Sequence, residues 1–264
     1  MSRVTSKDGT SIAYDRAGGG PPVILVGGGL VDPATGRAGR WENTPLATEL
    51  AAWFTVYNYD RRGRADSGDT LPYAVERELE DLDALIAEAG GSAHLYGVSS
   101  GGALALEAAA AGLAVDRIGV YEVPYFVGEA AAAPWRRYVE RLTAVLAAGR
   151  RGEAVELFMR VAGSGEEDVA GARSSPLWPG LEAIAHTLAY DAAVLGDGQP
   201  PSARLATITQ PTLVATGGGD QFFDQAADAI AASLPHAQRL TLEGQAHVAD
   251  PKTVAPVLER FYTA

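Results

Sequence analysis

Short apolar runs closed by glycine recur along the chain, and stretches with a helical period stand between them. PPVILVGGG (residues 21–29) is continuous and apolar, the pattern of a strand buried on both faces. FTVYNYD (54–60) repeats that pattern with β-branched and aromatic residues. SIAYDRAG (11–18) alternates loosely and ends in glycine, which predicts an edge strand and a turn. VERELEDLDALIAEAG (75–90) places Leu79, Leu82, Leu85 and Ile86 at helical spacing, with Gly90 as a stop signal. AHLYGVS then predicts a strand, GGALALEAAAAGL a helix, and DRIGVYEVP (116–124) a further strand.

From about Gly128 to Leu205 the periodicity is helical throughout, with Trp135, Trp178 and Tyr190 among the apolar positions. Strand signals resume at QPTLVATGGG (210–219), followed by the helix FDQAADAIAASLP, the strand AQRLTLEG and a final helix near 251–262. Strand alternating with helix predicts an α/β fold: a mostly parallel central sheet, right-handed crossovers, and helices on both faces. Residues 1–127 and 206–264 form the expected core, and 128–205 a helical cap inserted over the ends of the strands, where such sheets carry their sites. Alanine runs occur at 108–111 and 130–133 without a true repeat.

Composition narrows the partners. With 264 residues, 47% of them hydrophobic and 20% charged, the chain can bury a sizeable core. A net charge of −12, with basic runs no longer than Arg61-Arg62 and Arg150-Arg151, argues against nucleic acid as a partner. No apolar run is long enough to span a bilayer and the N-terminus lacks an apolar signal core, so no membrane partner and a cytoplasmic location are expected. The absence of cysteine excludes disulfides, thiolate zinc sites and cysteine nucleophiles. No spaced His/carboxylate cluster is visible, and GGGL and GGGD both lack the lysine of a phosphate loop. No cofactor and no metal are expected. A homodimer is left open.

The chemistry concentrates in Gly97-Val98-Ser99-Ser100-Gly101, a G-x-S-x-G sequence at a strand-to-helix junction. There a serine is held on a strained backbone with its hydroxyl exposed, and flanking glycines give clearance where a Cβ would clash. The alternative is a plain tight turn that needs small residues. In the functional reading Ser99 is the nucleophile, and Ser100 opens the helix with its N–H facing an oxyanion.

This elbow, together with VILVGGGL, YNYDRRGRADSGD, GGGD and GQAHVADP, resembles the α/β-hydrolase fold superfamily over nearly the whole chain. The resemblance implies a serine hydrolase whose base follows the nucleophile and acid in chain order. His247, alone in the loop EGQAHVADP after a late strand, stands where the family places that base. Two carboxylates compete to be its acid. Asp220 in GGGD resembles the family's usual position, just past a late strand. Glu122 in VYEVPY ends the strand after the elbow helix, where haloalkane dehalogenases and mycotoxin lactonases put theirs. Lactonases that hydrolyse zearalenone also share a Ser-Ser-Gly elbow and a Glu-x-Pro sequence here. Glu122 is slightly favoured, since a glutamate at a strand end before Val-Pro is otherwise an odd buried choice.

Many relatives carry His-Gly after the first buried strand, where this chain has Gly27-Gly28-Gly29-Leu30. A backbone donor needs no particular side chain, so the N–H of Gly29 or Leu30 is assigned to the oxyanion hole alongside that of Ser100. Asp60, Arg61 and Gly63 are expected to fix their loop by ion pairs and a turn. Trp178, Tyr125 and Phe126 are candidate walls of a substrate pocket, or else core residues. His94, His186 and His236 read as structural, with His186 the one that could touch substrate. The leading expectation is hydrolysis of a carboxylic ester or lactone, the small-molecule partner, through an acyl-enzyme. A C–C bond hydrolase or acyltransferase would use the same triad. A non-hydrolytic binding protein, or a cyclase or isomerase on the same scaffold, are the other readings. Serine at the elbow argues against epoxide hydrolases and dehalogenases, which usually need aspartate there.

Overall fold

The computed structural model describes residues 1–29 and 39–264. In chain order the elements are β1 (Ser2–Thr5), β2 (Ser11–Gly18), β3 (Pro22–Val26), α1 (Thr44–Leu50), β4 (Thr55–Tyr59), α2 (Val75–Glu88), β5 (Ala93–Val98), α3 (Ser100–Ala110) and β6 (Val115–Tyr121). Six helices follow before the next strand: α4 (Glu129–Ala147), α5 (Arg151–Val161), α6 (Glu166–Arg173), α7 (Trp178–Ile184), α8 (Leu188–Leu195) and α9 (Ser202–Leu205). The chain then closes with β7 (Thr212–Thr216), α10 (Gln221–Ser233), β8 (Ala237–Thr241) and α11 (Pro251–Thr263).

The eight strands form one sheet in the order β1-β2-β4-β3-β5-β6-β7-β8. β1 and β2 are antiparallel to their neighbours; β4, β3, β5, β6, β7 and β8 run parallel. One expectation needs correcting. SIAYDRAG is a strand, but it is flanked on both sides, and the edge is the short β1 that no alternation announced.

Alternation within the buried runs explains the layers. In β3, Ile24 and Val26 face a core shared with α2, α3 and α10, while Val23 and Leu25 face a second core built with α1 and α11. A strand with both faces covered has no polar side, which is why it reads as an unbroken apolar run. α2 buries Leu82, Leu85 and Ile86 on its inner face, each worth about 1.5–3 kcal/mol of removed apolar surface. The same face buries Glu78 and Asp81, and both meet arginines of the loop after β4.

β5 and β6 position the site. Val98 pairs with Tyr121 across them. Ser99 and Glu122, the next residue of each, therefore leave the same end of the sheet side by side.

Candidate active site

The turn from β5 into α3 is built around Ser99. Its backbone sits at φ 55°, ψ −130°, a region that a residue with a Cβ enters only when its surroundings hold it there. Two hydrogen bonds do so: Ser99 N–H donates to Tyr121 O at 3.0 Å, and Gly102 N–H to Ser99 O at 2.9 Å. A Cβ at Gly101 would collide with the carbonyl oxygens of Val26 and Gly27, so the helix packs against the end of β3 only with glycine there. Ser99 itself stays half-exposed while Ser100 beneath it is buried.

Glu122 is the second strained position, with φ 48°. Its N–H donates to Ala215 O at 3.0 Å, which fixes the turn at the end of β6. The carboxylate is used twice. Oε1 accepts the N–H of Gly217 at 3.0 Å, and Oε2 stands 2.7 Å from Nδ1 of His247. The carboxylate is 4% exposed and the imidazole 43%, so the carboxylate is dry while the imidazole meets solvent. His247 lies in the loop after β8, which is pinned from below: Tyr121 Oη donates to Ala246 O at 2.7 Å, and Gly244 N–H to Gly217 O at 3.1 Å. The ring of Phe223 stacks on the imidazole at 4.8 Å and 15°.

Asp220 does something else. Its Oδ1 accepts the N–H of Phe222 at 2.8 Å, making it the N-cap of α10. Of the two carboxylates that the sequence leaves open, Glu122 therefore meets the histidine and Asp220 caps a helix. Asp220→Ala is expected to lower stability by about 1 kcal/mol and to leave kcat within about twofold. Thermal denaturation and steady-state kinetics on a fluorogenic ester check both, and a hundredfold fall in kcat would return Asp220 to the acid's role.

The glycine turn after β3 lies against the elbow. A Cβ at Gly28 would stand 3.1 Å from Ser99 Cβ and 3.8 Å from its Oγ. The N–H of Ser100, at the first position of α3, has no partner within its own helix. Gly28 and Ser100 thus lie beside Ser99, and Gly29, the next residue of the turn, lies against Asp191 and the Ser100 hydroxyl; Leu30 lies outside the described residues.

Beneath the turn is a buried ionic group. Arg61 donates through Nε and Nη2 to Glu78 at 2.7 Å each, and through Nη1 to Asp191 Oδ1 at 2.7 Å. Arg64 Nη2 donates to Asp191 Oδ2 at 2.7 Å, and its Nη1 donates to Gly28 O. Ser100 Oγ donates to Asp191 Oδ1 at 2.8 Å. Burial alone would raise the Asp191 carboxyl, but the charges of Arg64 and Arg61, with hydrogen bonds from Arg64 and Ser100, outweigh it and hold it below the usual range. Two arginines against two carboxylates leave no net buried charge, the condition for burying such a set. The ion pairs expected for Asp60 and Arg61 are present, with Asp60 accepting from Arg40. Gly63 takes the expected turn at φ 74°.

The other singled-out residues are dispersed. Phe126 is half-buried, 5.0 Å from Phe222 and 6.0 Å from Trp135. Phe222 in turn lies 5.1 Å from Phe223, so aromatic rings run from α4 to the imidazole. Trp178 packs in the main core beside Gly152 of α5. Tyr125 is 1% exposed and lines a groove of about 550 Å³ with Glu107 and Arg204, towards the C-terminal half of α3 and away from the elbow. His94 stacks on Tyr262 in the core, and His186 Nε2 is 3.2 Å from Asp69. No sequence pattern marks Tyr121 or Asp191 for the site, and for Phe223 the one visible signal is the pair Phe222-Phe223 just after GGGD. Among the described residues no group of His, Asp and Glu could hold a metal ion, and no helix is long and apolar enough to cross a membrane.

The sequence profile of the alpha/beta hydrolase family matches residues 19–257. An alpha/beta hydrolase from Sphaerobacter thermophilus DSM 20745 has a solved structure that is 49% identical, with a TM-score of 0.88 over 99% of this chain and 100% of that one. A hydrolase from Pseudomonas aeruginosa PA01 is 26% identical, with a TM-score of 0.75 over 100% and 98% of the two chains. The uncharacterized hydrolase YraK of Bacillus subtilis (strain 168) is 35% identical over 103 residues. That match covers 38% of this chain and spans about a third (35%) of the length of that curated relative.

Proposed function

Because the chain belongs to the alpha/beta hydrolase family, we propose that it is a serine hydrolase that cleaves a carboxylic ester or lactone through an acyl-enzyme on Ser99. The observation that carries this reading is the 2.7 Å contact between His247 Nδ1 and the buried carboxylate of Glu122, at the strand end adjoining the elbow. A carboxylate on Nδ1 keeps the proton there, which leaves Nε2 as the basic nitrogen.

Ser99 Oγ attacks the carbonyl carbon as His247 Nε2 takes its proton, and the negative charge on the carbonyl oxygen is met by the N–H groups of Ser100 and Gly29. Collapse of the tetrahedral adduct breaks the ester C–O bond, with the proton on His247 passing to the departing alkoxide. Water then gives a proton to His247 and attacks the acyl carbon, and a second collapse returns the proton to Ser99 and releases the carboxylic acid. The 43% exposure of the imidazole favours water as the second nucleophile, hence hydrolysis over acyl transfer. The rings of Phe223, Phe222 and Phe126 favour an apolar group on the substrate.

The test is covalent labelling. A fluorophosphonate, which needs an activated serine and an oxyanion site, is expected to modify Ser99 in the folded protein and not after denaturation, read by peptide mass spectrometry. Folded protein that stays unlabelled at Ser99 would favour a binding role for the same scaffold.

A further inference from the structure

Three consecutive glycines are a poor way to hold an amide in place. Gly27, Gly28 and Gly29 carry no side chain to pack, and glycine has the widest backbone freedom of any residue. An oxyanion donor, by contrast, works by being fixed before the charge appears. Something outside the turn must supply that rigidity.

The buried ionic group does so. Arg64 Nη1 donates to the carbonyl of Gly28, and Arg61 Nη1 reaches the carbonyl of Gly27 at 3.4 Å. A trans peptide is planar and its N–H points opposite to its C=O. Drawing the Gly28 carbonyl towards Arg64 therefore turns the N–H of Gly29 away from it. Arg64 is itself held on its other nitrogens, with Nη2 on Asp191 Oδ2 at 2.7 Å and Nε on Thr187 Oγ1 at 3.3 Å. The other oxygen of Asp191 accepts from Ser100 Oγ at 2.8 Å and from Arg61 Nη1 at 2.7 Å. One carboxylate is thus tied, through Arg64, to the peptide that carries one donor, and directly to the residue that carries the other.

We propose that Asp191, acting through Arg64 and the Ser100 hydroxyl, is a positioning residue that fixes the separation and aim of the two oxyanion-binding amides, Gly29 N–H and Ser100 N–H. It belongs to α8, one of the helices inserted between β6 and β7, and α8 packs on α3 directly behind the elbow. Seating of that helix and assembly of the oxyanion hole are then a single event. Tyr73, which donates to Glu78 and stacks on Tyr190 of α8 at 3.8 Å, closes the same circuit from the other side.

The inference rests on the hydrolase reading, and its test separates the two. Asp191→Asn keeps the volume and one acceptor oxygen but removes the charge that anchors both guanidinium groups. Arg64→Met removes the donor to Gly28 and leaves Asp191 paired with Arg61. For each variant, kcat and KM on 4-methylumbelliferyl acetate are compared with the inhibition constant of phenylboronic acid, whose tetrahedral adduct on Ser99 mimics the anionic intermediate. The expected result is a fall in kcat of roughly 10- to 100-fold, below the ~10²–10³ for deleting a donor outright. KM should stay within about threefold and boronate affinity should fall by the same factor as kcat. A merely structural role would lower the melting temperature without moving boronate affinity. Unchanged kcat in a folded variant, or a loss of kcat with boronate affinity kept, overturns the proposal. If the Asn variant does not fold, the Met variant decides on the same readouts. Wild-type protein that takes no fluorophosphonate at Ser99 defeats the hydrolase reading instead.

Discussion

Ser99→Ala is expected to lower turnover of a fluorogenic ester by about a millionfold at saturating substrate, the loss typical of removing a serine nucleophile. The change deletes one oxygen from a half-exposed side chain and touches none of the backbone bonds that hold the elbow. Alanine has a Cβ as serine does, so the strain at φ 55° is neither relieved nor increased. The melting temperature should accordingly be unchanged, and so should the affinity for a competitive product, since neither depends on Oγ. The residual rate should still exceed that in water, by roughly 10³–10⁴, because the amides of Ser100 and Gly29, the proposed oxyanion donors, are untouched. Parallel kinetics and thermal melts on the two proteins decide it. Equal turnover would remove Ser99 from the chemistry and with it the acyl-enzyme.

The strands were legible where burial on both faces erases alternation, as in PVILV and TVYNY, because such runs have no reading other than a buried element flanked by turns. The edge was not legible. β1 is four residues with a polar, mostly exposed pattern, and only its pairing with β2, from Ser2 against Tyr14 to Thr5 against Ser11, makes it a strand. Likewise α1, seven residues long, is stabilised by Leu46 and Leu50 packing into the second core rather than by its own periodicity.

The same limit governs the site. The elbow is local in sequence, so Gly97 to Gly101 announce it. Glu122 and Asp220 both follow the C-terminal ends of parallel strands, and one-dimensional spacing does not say towards which of them the loop bearing His247 bends. The aspartate before an amphipathic helix was in fact a cap signature. Asp191 is 130 residues from Arg61, so the ion group that unites the glycine turn, the elbow and α8 exists only in three dimensions. Trp178 shows why an aromatic residue in a helical pattern reads two ways: burial in a core and exposure to a ligand leave the same periodicity.

Strain is a marker that the elbow pattern announces at Ser99 and that no sequence pattern announces at Glu122. Among the described residues three that are not glycine have positive φ: Ala65, Ser99 and Glu122. Two of them are the proposed nucleophile and the proposed acid. Each is the first residue past the end of its strand, and each is held by a main-chain hydrogen bond to the neighbouring strand. The sheet thus imposes the conformation at both positions, at the same end of two adjacent strands.

Glu122→Gln is expected to lower kcat by about 10⁴ at neutral pH while preserving the fold. The substitution is isosteric, and the argument turns on which way the amide must face. Gly217 N–H, at 3.0 Å from Oε1, is buried and needs an acceptor. The carboxamide oxygen satisfies it, and the NH₂ group is then turned to the place of Oε2, 2.7 Å from His247 Nδ1. An NH₂ donor there requires Nδ1 to accept, which moves the ring proton to Nε2. With Nε2 protonated the imidazole has no lone pair with which to take the proton of Ser99. The opposite flip restores the tautomer but faces two N–H donors at Gly217, one of them left buried without a partner. Either arrangement also withdraws the negative charge that stabilises the imidazolium. Glu122→Asp keeps charge and acceptors but ends one methylene short of the ring, and should retain more activity than Gln despite the larger change in shape. Steady-state kinetics on the two variants check this order. Activity of Glu122→Gln within tenfold of wild type would show that another group orients His247.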